Sequence, residues 1–315
     1  MSAPNSAAGN SSTRETFLSV DLAKAVQHLA DRGTTDRVLC VFDFDWTIVD
    51  TNSDEYVIEQ LAPDLHSRFE ETRLSTPLFR QSWLAYMNYL MGQLHELGFS
   101  AADISRSLKA TPLSLEMQEV LRTLTASGKV DVVVLSDANE FFIRETLQHY
   151  NLLEHVSLII SNPFLHDPRF TILPFSPTRH SDHICTLCND NMCKGTVLDY
   201  ILDKTEYHRV VYIGDGGNDF CPSTRLCSSD VVMARDGFHL VRLLRKYIAA
   251  ERQKAVSTHG AHLHRRRRAK HTSHPEGLRG QRLNADKFDV DAEVQVWCSH
   301  ADLLALFRSL LLPQP

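Results

Sequence analysis

Arg37-Val-Leu-Cys-Val-Phe-Asp43-Phe-Asp45-Trp-Thr47-Ile-Val-Asp50-Thr-Asn-Ser-Asp54 joins an apolar run to an abruptly acidic end. Val38 to Phe42 are rich in branched residues, which marks a buried strand, and in a long mixed chain a parallel one. Asp43, Asp45, Thr47, Asp50 and Asp54 crowd the residues that follow. Open α/β sheets bind ligands at the carboxyl ends of their strands, so this acidic end is a candidate site. Asp43 and Asp45 alternate, which predicts that both leave the strand on one side. Adjacent carboxylates repel unless a cation lies between them. Oxygen ligands suit a hard divalent ion, with Mg²⁺ the default.

The rest of the chain repeats the pattern. Apolar runs at Val130–Leu135, Val156–Ile160 and His208–Ile213 end in Ser136-Asp137-Ala138-Asn139, Ser161-Asn162 and Gly214-Asp215-Gly-Gly-Asn-Asp219. A fifth run covers Asp230–Met233, and Phe170–Phe175 reads as a short flanking strand. Helical periods lie between the runs, including one opened by Lys194. Alternating strands and helices predict an α/β fold with a doubly wound parallel sheet. Residues 54–128 lack β-branched runs and read as helices, a cap inserted after the first strand that can exclude water from the acidic site. Trp83, Tyr86 and Tyr89 within it read as core. A tail and one helix (1–33) precede a core of 34–53, 129–250 and 286–315. Residues 251–285, with His-Arg-Arg-Arg-Arg-Ala-Lys, read as a disordered basic insertion. The run Arg265–Arg268 is either a solvated loop, a nuclear address or an anionic-surface patch.

The 315 residues, 43% hydrophobic and 23% charged, describe a globular chain with a substantial core. A formal charge of −6 argues against nucleic acid as the main partner. No apolar run suffices to cross a bilayer, and the first residues lack the apolar segment of a secretory signal. Seven unevenly placed cysteines suit a reducing compartment, so a cytoplasmic, non-membrane protein is expected. The spacing His183-x-Cys185-x-x-Cys188-x4-Cys193 suits a structural Zn²⁺ on the loop leading to Lys194.

The strand ends gather Asp43, Asp45, Ser136, Lys194, Asp215 and Asp219. A carboxylate pair, a metal, a hydroxyl and a lysine fit phosphoryl transfer. The stretches D-F-D-W-T, L-S-D-A-N, M-C-K and G-D-G-G-N-D resemble the four signature motifs of the haloacid dehalogenase superfamily. The longer strings D-x-D-x-T-I-V-D-x-N-S-D, L-S-D-A-N-x-F-F-I, C-x-x-C-x-x-N-M-C-K and Y-I-G-D-G-x-N-D-F-C-P resemble the phosphoethanolamine/phosphocholine phosphatases, a group with a pyridoxal phosphate phosphatase branch. The likeness spans about Val38 to Val232.

The resemblance implies an Rossmann-like core and a phosphomonoesterase. In it Asp43 forms an aspartyl-phosphate. Asp45 protonates the leaving alcohol and then activates water. Asp43, the backbone carbonyl of Asp45, and Asp215 hold Mg²⁺. Ser136 and Lys194 bind the phosphoryl oxygens. Asp219 supports the metal and Lys194, while Asp54 and Asp137 meet the amine end of the substrate. Phosphoethanolamine or phosphocholine is the expected substrate, with pyridoxal 5′-phosphate the alternative. A catalytically inactive scaffold that binds partners through its basic insertion is a rival of another class, and the intact motif residues oppose it.

Overall fold

The computed structural model describes residues 15–32, 36–175, 185, 187–188, 191–257 and 290–311. The chain begins with α1 (Glu15–Asp31) and enters β1 (Val38–Phe42). Seven helices follow: α2 (Ser53–Leu61), α3 (Pro63–His66), α4 (Phe69–Ser75), α5 (Pro77–Gln81), α6 (Trp83–Glu96), α7 (Ala101–Leu108) and α8 (Leu115–Ala126). Local signals account for their starts. Asn52, Ser82 and Ser114 cap α2, α6 and α8 through their side-chain oxygens, and Ser100 with Asp103 forms a capping box on α7.

Strand and helix then alternate: β2 (Val130–Asn139), α9 (Glu140–His149), β3 (Leu158–Asn162), β4 (Phe164–Leu165), β5 (Thr171–Ile172), α10 (Lys194–Lys204), β6 (Arg209–Gly214), α11 (Phe220–Ser223), β7 (Val231–Arg235), α12 (His239–Ser257), β8 (Glu293–Trp297) and α13 (His300–Leu311). Six strands form one parallel sheet in the order β3-β2-β1-β6-β7-β8. The α/β expectation holds. The strands alternate by face. Cys40, Phe42, Val132, Val134, Val211 and Ile213 pack with α8 and α13. Leu39, Val41, Val133, Leu135, Val210 and Tyr212 pack with α1, α10 and α12. Burial of both faces explains why the strands read as unbroken apolar runs.

Several boundaries differ from those read in the sequence. Phe170–Phe175 contributes only β5, which pairs antiparallel with β4 outside the main sheet. The third run is shifted, because Ser157 N–H bonds the Val132 carbonyl while pairing proper starts at Leu158. α12 continues to Ser257, seven residues into the stretch read as an insertion. Arg265–Arg268, like most of that stretch, lies outside the described residues. No helix among the described residues is long and apolar enough to cross a membrane.

Sheet order places the site. The chain winds outward from β1 to β3 on one side, then returns beside β1 as β6 and winds the other way. Where the direction reverses, a crevice opens at the carboxyl ends of β1 and β6. Phe42 is in register with Ile213, and the Asp43 N–H donates to the Ile213 carbonyl at 2.9 Å. Motifs about 170 residues apart therefore end side by side.

Candidate active site

β1 stops at Phe42, so the loop, not the pleat of a strand, aims Asp43 and Asp45. Phe44 turns its ring into the core, and its carbonyl accepts the N–H groups of Thr47, Ile48 and Val49. This tight turn throws both aspartates to the other side, against one cavity of about 500 Å³. Trp46 sits in the left-handed region at φ 55°, a conformation disfavoured for a bulky side chain. Its N–H bonds the Thr51 carbonyl and its own carbonyl accepts from Arg235 at 2.6 Å, which holds the turn closed. His300 on α13 reaches the same loop through a 3.0 Å contact with the Thr47 carbonyl.

The floor of the cavity is a buried charge cluster. Lys194, the first residue of α10, is 1% exposed, and its Nζ lies 2.8 Å from both Asp43 Oδ2 and Asp219 Oδ1. Asp43 Oδ1 accepts the Phe44 N–H at 2.7 Å, so both oxygens are fixed. Asp219 is saturated. Oδ1 also accepts from Tyr212 Oη at 2.7 Å, and Oδ2 accepts the N–H groups of Asp215 and Gly216. Its close approach requires Gly214, since a Cβ there would stand 2.5 Å from the Asp219 carboxyl carbon. Among the described residues the Asp215 carboxylate accepts only a long bond from the Thr47 hydroxyl, at 3.3 Å. Asp43, Asp215 and Asp219 offer oxygens within 4.8 Å of one another.

This crowding shifts the carboxyls. Burial, then the Asp219 charge, raises Asp43 well above the usual carboxylate range, and Lys194 only partly opposes them. Burial and Asp219 likewise raise Asp215 to about 7. Burial and the neighbouring Asp54 raise Asp45 well above its ordinary value, although its Oδ1 accepts the Ser53 N–H at 2.9 Å. Lys194 is pulled up by Asp219 and Asp43 against the opposing effect of burial.

The other predicted residues sit above this floor. β2 loses regular register with β3 between Leu135 and Asn139, the stretch that holds Ser136 and Asp137. Asp137 and Ala138 line the cavity, and Ser136 beside them is buried with its Oγ accepting the Ala138 N–H at 3.3 Å. Asn162 on β3 secures this turn by donating to the Asp137 and Ala138 carbonyls. Asp54, in the first turn of α2, is 2% exposed and lines the same cavity. Burial raises it to about 7. Its Oδ2 accepts from Trp83 Nε1 at 2.9 Å, while Oδ1 is buried with no hydrogen-bond partner.

Trp83 corrects the sequence reading. Tyr86 is core, but Trp83 lines the cavity with its indole N–H on Asp54. Periodicity could not separate them, because a helix face that packs on one side and borders a cavity on the other keeps one period. Thr47, Asn52 and His239 also border or support the site.

The thiol cluster gains a member. Cys185, Cys188 and Cys193 lie together, but His183 is outside the described residues, and the fourth member is Cys221 of α11. No spacing rule points to Cys221, since it lies 28 residues beyond Cys193.

The profile of the family described as "Putative Phosphatase" matches residues 38–264. A pyridoxal phosphate phosphatase of Mus musculus is 36% identical over 221 residues, covering 67% of this chain and 87% of that protein. A phosphoethanolamine/phosphocholine phosphatase of Homo sapiens is 36% identical over 227 residues, covering 68% and 80%. A thiamine phosphate phosphatase-like protein of Arabidopsis thaliana is 34% identical over 210 residues, covering 65% and 82%. The chain belongs to this phosphatase family and is a phosphoric monoester hydrolase.

Proposed function

We propose that the enzyme hydrolyses small phosphomonoesters carrying an amine, phosphoethanolamine or phosphocholine, through an aspartyl-phosphate on Asp43. The observation that carries this reading is the polarity of the cavity. Beneath the lining lies the buried Lys194 ammonium, bonded to the lining Asp43 and suited to phosphoryl oxygens. The lining itself holds Asp54, with a buried oxygen lacking a hydrogen-bond partner, and Trp83. A carboxylate and an aromatic face suit an ammonium, quaternary or primary.

The donor set fits Mg²⁺. Asp43 and Asp215 present hard, crowded oxygens whose raised pKa values report mutual repulsion and burial, which a divalent cation relieves. Asp43, the Asp45 backbone carbonyl and Asp215 would hold it. Asp219 acts as a positioning residue, because four donors already occupy its oxygens. The chemistry a bound Mg²⁺ supplies is charge neutralisation, which ionises Asp43 and draws charge from the phosphoryl oxygens.

The chain's own residues carry the rest. Asp43 attacks phosphorus and forms an acyl phosphate as the ester P–O bond breaks. Asp45, whose pKa burial and Asp54 raise, gives its proton to the departing alkoxide. Lys194 and Ser136 bind the phosphoryl oxygens. Water then attacks the acyl phosphate, losing its proton to Asp45, and releases phosphate with Asp43 restored. Of the residues 54–128 read as a cap, α8 packs on the sheet, and helices α2 to α7 act as a lid that limits water at this step.

Pyridoxal 5′-phosphate is the second reading. Asp54 sits near pKa 7, so it suits a pyridine nitrogen as well as an ammonium. Phosphate release from phosphoethanolamine, phosphocholine, pyridoxal 5′-phosphate and glycerol phosphate, with and without Mg²⁺, discriminates. The first reading expects kcat/KM highest for the two amines. Equal or faster turnover of pyridoxal 5′-phosphate would replace it with the second.

A further inference from the structure

The four thiols of Cys185, Cys188, Cys193 and Cys221 come from two separate stretches and converge behind the active-site lysine. Their sulfurs all lie within 4.8 Å of one another. Cys185 Sγ is 3.6 Å and Cys193 Sγ 3.9 Å from Cys221 Sγ. A tetrahedral ion with Zn–S bonds of about 2.3 Å places its sulfurs about 3.8 Å apart. A disulfide needs about 2.05 Å, and none of the seven cysteines forms one.

The surroundings are built around the sulfurs. The Thr196 hydroxyl donates to Cys193 Sγ at 3.3 Å. Gly195 leaves room for Cys221, because a Cβ there would stand 2.5 Å from its sulfur. The Arg225 guanidinium lies against Cys221 and Cys193 and its Nε is buried without a hydrogen-bond partner. Four thiolates on a divalent ion leave a net charge of about −2, and the half-buried Arg225, also paired with Asp199 at 3.5 Å, offsets part of it. An N–H···S or O–H···S donor on a ligating sulfur is the usual outer support of such a site.

We infer that Cys185, Cys188, Cys193 and Cys221 form a closed, structural Zn²⁺ site distinct from the carboxylate site. Its place in the fold gives it a task. Cys193 immediately precedes Lys194, and Cys221 follows Asp219 by two residues. The ion therefore staples the start of α10 to the turn of α11, the two segments whose Lys194–Asp219 bond spans 2.8 Å. Four thiolates leave no open coordination position, so the ion takes no direct part in chemistry. The inference rests on no part of the substrate reading.

Metal analysis of the full chain, purified without chelators, tests it. About one zinc per chain is expected, released by a thiol-directed mercurial in step with thiol modification. Co²⁺-reconstituted protein should show thiolate-to-metal charge transfer and intense tetrahedral d–d bands, which a carboxylate site cannot give. Cys188→Ser and Cys221→Ser should lose most of the zinc. Thr196→Val should weaken retention about tenfold. Cys227→Ser, Cys298→Ser and Asp43→Asn should keep it, and Asp43→Asn separates this ion from any metal at the carboxylates. Because Cys221 is buried and its variant can misfold, the Co²⁺ spectrum of unmutated protein decides independently. Absence of thiolate charge transfer after reconstitution, or zinc content unchanged in Cys188→Ser, overturns the site.

Discussion

Asp219 and Asp54 are the same residue, almost equally buried at 0% and 2% exposure, in the walls of one site. Asp219 accepts four hydrogen bonds, one from a lysine. Asp54 accepts one, from an indole, and its second oxygen has no hydrogen-bond partner among the described residues, although the Asn139 side chain lies near it. A carboxylate whose lone pairs are filled by its own chain is framework. One held buried with a lone oxygen is destabilised until something positive arrives. Within a fold, then, burial does not separate a structural aspartate from a binding one. The hydrogen-bond account does.

Substitutions test that contrast. The largest expected effect belongs to neither residue but to the nucleophile they flank. Asp43→Asn should lower kcat by at least about 10³-fold with the circular dichroism spectrum unchanged, and no hydroxylamine-sensitive phosphoenzyme should accumulate. Full activity would refute the covalent route. Asp219→Asn comes next. It turns an NH₂ group onto either Lys194 and Tyr212 or two backbone N–H groups, and should destabilise by about 3 kcal/mol in urea titration, with kcat falling alongside.

Asp54→Asn should separate binding from stability. KM for phosphocholine rises about tenfold or more, in line with loss of one buried charge contact, while KM for glycerol phosphate changes little. Stability holds or increases, because a poorly solvated carboxylate is gone. A loss of stability as large as that of Asp219→Asn would erase the distinction between the two aspartates.

The pH dependence follows from the same site. Asp54 is raised to about 7 in the fold against about 3.9 unfolded. A raised folded pKa gives stability that is complete below the unfolded value and lost as pH rises through about 7. Metal-free wild type should therefore melt about 2–4 °C higher, relative to Asp54→Asn, at pH 5 than at pH 8. In the same window KM for phosphocholine should rise as pH falls below about 7, since the protonated carboxyl no longer attracts an ammonium. Asp131 does not confuse this comparison. Burial raises it, but bonds from Arg37 and Arg32 outweigh burial and hold it low, so its contribution fades only at more acid pH. The smallest effect is expected of Trp83→Phe, which keeps a ring and removes one donor to Asp54. KM for phosphocholine should change a few-fold, near 1 kcal/mol.

Much of the fold was legible because its signals are local. Val38–Phe42, Val130–Leu135 and Arg209–Gly214 form strands buried on both faces, so their apolar runs are unbroken. The acidic ends of these strands were legible for the same reason, since a polar group directly after a buried strand must emerge at the sheet rim. The shift at β3 and the small β4–β5 hairpin were not. They depend on which backbone groups find partners across the sheet, and short runs carry no such information. Trp83 escaped because its period fits both a core and a cavity wall.

Residue order alone fixed the α/β class, the sequence of motifs and the identity of Asp43, Asp45, Ser136, Lys194, Asp215 and Asp219 as rim residues. Only the folded chain decided which of these touch. β6 returns beside β1 at the reversal of the sheet, and that pairing brings Asp215 to Asp43 and Cys221 to the three thiols before α10. Neighbours along the chain are set by bond geometry and appear in spacing. Neighbours across a crossover are set by packing of whole elements, and no spacing encodes them.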